Sequence, residues 1–244
     1  KNTWLSKRTY TNESRVRVIN VKGIRRSVNY DDLKDVTPTY TQKVGGMKFS
    51  RHELRDILIS VAVLTVAFTI VMVRGVNPRA EGYLEYVLIN LGISLLFVTT
   101  AFLFHELGHK YVAQSYGAWS EFRMFPFGLL ICVILSFTGF LFAAPGAVYI
   151  QGNISREEYG KISLAGPAVN FIIAGLAIAF VVVSGIGGTL GAVLINLAYI
   201  NAFLGIFNMI PIPPLDGSKI IKWNVPVYLV TAAIGICEIL FILL

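Results

Sequence analysis

Apolar and polar positions divide this chain into long apolar runs separated by short, punctuated breaks. Residues 57–73 hold 17 residues without a charge, near the lower limit of about 17 for a membrane-spanning helix. Residues 74–82 carry Gly, Pro and charges and read as a loop. Residues 83–116 form one long helical pattern. At about 1.5 Å per residue it would extend roughly 50 Å, beyond a hydrocarbon core of about 30 Å, so one end must project toward water. Residues 125–150 are apolar but broken by Pro126, Gly128, Gly139, Pro145 and Gly146. Residues 162–185, 190–210 and 225–244 are further spanning candidates, the first two joined by a glycine turn at 185–188. The pattern predicts an all-α polytopic membrane protein with about five or six transmembrane helices.

Residues 1–56 differ. Arg15 to Val21 alternate like a strand, and Asp31 to Thr41 read as turn or loop. The segment is either a small extramembrane element or a partly ordered tail, and the tail is preferred. It shows no signal-peptide pattern, and a segment upstream of Lys1 is expected.

Composition supports the membrane reading. Hydrophobic residues make up 55% of the 244 and charged residues only 14%, against about 25% charged in soluble domains. That excludes an ordinary soluble enzyme, a disordered chain and a disulfide-rich module. The net charge of +7 is carried by residues 1–56, which hold 13 basic and six acidic side chains. A basic stretch before an apolar run marks a cytoplasmic flank, so the expected partners are the lipid bilayer and no nucleic acid. The N-terminus is then cytoplasmic, the first helix runs outward and the second returns. Residues 105–116 therefore lie toward the cytoplasm, and Lys219 and Lys222 place the stretch after Ile210 there too. Cys132 and Cys237 sit in apolar runs without metal spacing and read as small core residues.

The second helix carries the chemistry. His105-Glu106-Leu107-Gly108-His109 puts two imidazoles at i and i+4 on one face, where both can bind one zinc ion. Glu106, beside the first histidine, can accept a proton from water activated at the metal. Ionisable groups inside a membrane helix are costly and functional by default. With three histidines in the chain, and His52 a juxtamembrane surface residue, a di-iron site is excluded on ligand number. The third ligand must come from Glu121, Glu157, Glu158, Asp216 or Glu238. Glu157 and Glu158 read as a solvated helix start, and Glu121 as part of a connecting strand. Glu238 stands mid-span without polar company. Asp216 follows Pro211, Pro213 and Pro214, which break the helix, and irregular backbone at membrane depth is tolerated where it is buried or lines a cavity. It could instead be a turn residue or helix N-cap. Beside a histidine pair at the same membrane face, the ligand role is the stronger reading.

Three strings together resemble the site-2 protease family of intramembrane zinc metalloproteases. They are Phe104 to His109, Ala165-Gly166-Pro167-Ala168-Val169-Asn170, and Asn208 to Gly217, with order and spacing agreeing over residues 84–222. Ser218 stands where the family often has a second glycine. The resemblance implies that His105, His109 and Asp216 bind zinc, that Glu106 is the catalytic carboxylate, and that Asn170 and Asn208 line the substrate cleft. It also implies a transmembrane protein substrate and a domain over residues 57–244 (core 84–222), behind a basic cytoplasmic segment 1–56. The oligomeric state stays open. If the three ligands meet, residues 117–161 must begin and end on the cytoplasmic side. Residues 125–150 are then a re-entrant or membrane-associated β element, whose edge could pair with an extended substrate. Two alternatives remain: a membrane zinc protease of another family that trims C-termini, and a metal-binding membrane protein without catalysis.

Overall fold

The computed structural model describes residues 17–21, 24–28, 47–141 and 145–244. It separates into two compact units, Lys1–Gln42 and Lys43–Leu244. In the first, β1 (Arg17–Val21) pairs antiparallel with β2 (Ile24–Val28), Arg17 opposite Val28. Within the alternation expected from Arg15 to Val21, Arg17–Val21 is thus a paired strand. The loop expected at Asp31 to Thr41 lies outside the described residues.

The second unit begins with α1 (Arg51–Val73), six residues before the apolar run. Ser50 caps it by accepting the Glu53 backbone N–H at 3.1 Å. The charged first turn is helical because one side of it is buried: Glu53, Asp56 and Ser60 form a polar stripe at i, i+3 and i+7 that faces protein. Next, α2 (Tyr83–Val98), a π-helical turn (Thr99–Leu103) and α3 (Phe104–Ser115) run together as one 33-residue element.

The interrupted stretch then folds as β3 (Trp119–Met124), α4 (Pro126–Ser136) and β4 (Gly146–Gln151). The two strands are antiparallel, with Phe122 opposite Val148. The Phe125 N–H donates to the Pro145 carbonyl at 2.8 Å and closes the base of the excursion. Both ends therefore emerge together. With 11 residues, α4 reaches about 16 Å, short of a full crossing.

The remaining elements are α5 (Arg156–Ser184), α6 (Gly188–Asn208), α7 (Gly217–Trp223) and α8 (Val225–Leu243). A capping box starts α5, with Ser155 and Glu158 exchanging hydrogen bonds, as its solvated start predicted. Gly185, left-handed at φ 63°, ends it. Among the described residues, five helices are long and apolar enough to cross a membrane. The protein is an integral, multi-pass, mostly helical membrane protein with one small sheet between the second and third of those helices.

Apolar clusters lie on either side of the second span. Leu64, Ala67, Val98, Phe102, Phe122, Leu129 and Cys132 join α1, the second span, β3 and α4. Phe97, Ala174, Ala177, Leu197, Ala198 and Ala202 join it to α5 and α6, with small residues allowing close helix approach. Leu58, Leu176 and Val183 remain 67–87% exposed, the outward apolar surface that lipid requires. Cys237 belongs to that outer surface rather than to the core expected for it, because α8 packs by only one side.

Candidate metal centre

α3 carries His105, Glu106 and His109 against α5, and the crossing is close because small residues meet there. A Cβ on Gly108 would stand 3.0 Å from the Ala165 carbonyl oxygen. Both histidines are buried, and their Nε2 atoms lie 3.0 Å apart. The chain after α6 turns through three prolines and delivers Asp216 to the same point. Its Oδ2 lies 3.4 Å from His105 Nε2 and 3.1 Å from His109 Nε2. Although Asp216 precedes α7, its side chain makes no cap hydrogen bond, and its Oδ1 meets Lys219 Nζ at 3.1 Å. Burial would raise the Asp216 carboxyl, but the neighbouring imidazoles outweigh it and hold the group well below the usual carboxylate range. A metal ligand must be deprotonated, and a carboxyl meets that condition at neutral pH.

This cluster fits a zinc ion. Two atoms each about 2.0–2.1 Å from a tetrahedral zinc stand roughly 3.3 Å apart, and the three contacts measured span 3.0–3.4 Å. The room is provided by Gly166 of α5, where a Cβ would fall 2.4 Å from His109 Nε2 and 2.6 Å from His105 Nε2. A hydrogen-bond network presents both Nε2 lone pairs to the centre. The amide of Asn170 donates through Nδ2 to the Ala101 carbonyl at 2.9 Å and to Asn201 Oδ1 at 3.1 Å. Its Oδ1 must therefore accept from His105 Nδ1, 2.6 Å away. His109 Nδ1 donates to the Ile162 carbonyl at 2.7 Å. Such partners set the tautomer and orientation of metal-binding imidazoles.

Asn170 is fully buried beside the His105 ring, with its amide engaged in these contacts. Asn208 ends α6 half-buried and donates to the Leu204 carbonyl at 3.0 Å. Glu106 Oε2 accepts the Val148 N–H of β4 at 3.1 Å. The other acidic candidates lie elsewhere. Glu121 pairs with Arg123, Glu157 with Lys161 at 2.6 Å, and Glu158 is held in its capping box. Glu238 faces Gly175 of α5, its Oε2 buried without a partner. His52 is exposed, as expected.

Sequence reasoning missed Asn201, whose Nδ2 reaches Thr100 Oγ1 at 3.2 Å and which supports Asn170 from α6. The available signal was a polar residue within an apolar span. It also missed the Val148 amide, a backbone group that no residue type announces.

A polytopic helical protein with a buried two-histidine, one-aspartate cluster and a glutamate beside the first histidine falls in the class of membrane metallohydrolases. Comparison with known proteins narrows this. The signature described as peptidase family M50 matches residues 187–226. The chain is 41% identical over 179 residues to the Putative zinc metalloprotease MJ0611 of Methanocaldococcus jannaschii, covering 72% of this chain and 87% of that protein. It is 35% identical over 133 residues to the Zinc metalloprotease MJ0392 of the same organism, covering 52% and 32% respectively. With the Putative zinc metalloprotease YwhC of Bacillus subtilis it shares 29% over 167 residues, covering 60% and 75%. No solved structure matches the chain. The chain belongs to peptidase family M50, the site-2 proteases, and is a membrane zinc metalloprotease.

Proposed function

We propose that the protein hydrolyses peptide bonds of transmembrane protein substrates within the bilayer. The observation that carries this reading is the meeting of His105, His109 and Asp216 within 3.0–3.4 Å of one another, with Glu106 on the same helical turn. His105, His109 and Asp216 would hold zinc, which when bound acidifies water and polarises a carbonyl. Glu106 takes the proton as the water oxygen bonds to the peptide carbon. It then returns that proton to the amine nitrogen as the C–N bond breaks. Asn170, supported by Asn201, orients His105, and with Asn208 it is a proposed cleft residue for substrate.

A helical substrate hides its carbonyls in its own hydrogen bonds and must unwind to be cut. The outer edge of β4 offers an unwound segment a strand to pair with. The Val148 N–H on that edge already donates to Glu106, so the proton acceptor sits at the strand to which the incoming chain would add. The basic flank before α1, together with Lys219 and Lys222, supports a cytoplasmic N-terminus and an active site toward the cytoplasm. Glu106→Gln tests the reading: purified protein should retain about one zinc per chain and lose cleavage of a transmembrane substrate. Retained cleavage would remove Glu106 from the role.

A further inference from the structure

A strand edge presents unpaired N–H and C=O groups, and the two edges of the β3–β4 hairpin are treated differently. On the outer edge of β3, the Phe122 N–H donates to Glu53 Oε1 at 2.9 Å. The Ser120 carbonyl accepts from Lys110 Nζ at 2.7 Å. Farther along, the Met124 N–H lies 3.5 Å from Asp56 Oδ2. Glu53 comes from α1 and Lys110 from α3, and they pair with each other at 2.9 Å. A carboxylate thus stands where a neighbouring strand would place a carbonyl, and an ammonium where it would place an N–H. The β4 edge has no such cover. Among the described residues, its outward hydrogen bond to another element is the one from Val148 to Glu106.

Glu53 is 0% and Lys110 1% exposed. Stability alone is a weak reason for such a pair, because apolar residues of similar volume often serve as well or better. Its connections supply another reason. Lys110 directly follows His109 and leads to Ser120 and Glu53. Glu53 holds Phe122, Phe122 stands opposite Val148, and Val148 donates to Glu106. The ring closes on the α3 turn where it began.

We propose that Glu53 and Lys110 are positioning residues that act as a substitute strand: they seal the β3 edge and hold the Val148 amide of β4 at a fixed height over Glu106. An extended substrate can then add only to β4, and in one register. The inference rests on the protease reading above and deepens it.

The double variant Glu53→Leu/Lys110→Met removes both charges while filling their volume, and it leaves the Phe122 N–H and the Ser120 carbonyl without these partners. With the full-length, zinc-loaded protein, zinc content should stay near that of the wild type. The kcat/KM for an extended apolar peptide should fall about a hundredfold, the loss that a misplacement of roughly an ångström can bring. Cleavage, mapped by mass spectrometry, should spread from one bond to bonds about two residues away, the strand repeat. Hydrogen exchange should quicken over 119–124 and 146–151 and stay slow over 104–115. Glu53→Gln, which keeps the size but not the charge, should move the same readouts by a smaller factor. Wild-type exchange and a single cleavage site in either variant would overturn the proposal. So would loss of zinc and of α3 protection in step with activity, which marks a purely structural pair. If the wild type itself cleaves nothing, the protease reading has failed, and hairpin exchange still decides what the pair holds.

Discussion

His105 and His109 reach the centre through Nε2 because Nδ1 of each is already engaged, by Asn170 and by the Ile162 carbonyl. Removing such a partner costs a metal site about 10–100-fold in affinity. Asn170→Ala should therefore weaken zinc binding by about that factor, read by competition with a chelating dye. Asn170→Asp, which keeps an acceptor for His105 Nδ1, should lose much less. The ligand residues were legible in the sequence because each sits in a short string whose chemistry is local: two histidines one turn apart, and an aspartate after a run of prolines. Their supports were not. Asn170 and Asn201 are 31 positions apart, and Glu53 and Lys110 are 57 apart. Each of these pairs is made only when helices pack, so no window of sequence contains it.

Among the elements, the hairpin was the hardest to read. The requirement that the three ligands meet excluded a single crossing, but the sequence left open whether the segment was a re-entrant loop or a sheet. The structure has two strands at the base and a short helix, α4, packed on α1. The start of α1 was misplaced for a related reason. Hydropathy sees charge in residues 51–56, whereas the fold uses two of those carboxylates to receive β3 amides. The β4 edge invites a direct test. Val148→Pro deletes the N–H that Glu106 accepts and leaves zinc ligation untouched. Zinc content should be unchanged while kcat/KM falls about 10²-fold, since the carboxylate loses its alignment.

For the molecule as a whole, the ligands come from two stretches of chain, α3 and the turn before α7, while the apolar clusters and lipid-facing surface are independent of the metal. Removing zinc should therefore silence the protein without unfolding it. A strong chelator should abolish cleavage and leave far-UV circular dichroism within about 10% of its starting value, as expected when helix burial rather than ligation holds the spans. Added zinc should restore activity. A collapse of helicity on chelation would show that the metal organises the bundle, as it does in small zinc domains.

The π-helical turn at Thr99–Leu103 sits between α2 and the ligands of α3. Such a turn accommodates one residue more than an α-helical turn, and each residue of an α-helix advances the azimuth by about 100°. The second span is therefore two rods on one axis, indexed by a single surplus residue: the upper follows its neighbours α1 and α6, the lower aims its imidazoles at α5. Its hydropathy is indifferent to that offset, but its chemistry is not. Shortening the turn by one residue would leave a span as greasy as before, with its histidines swung away from Asp216.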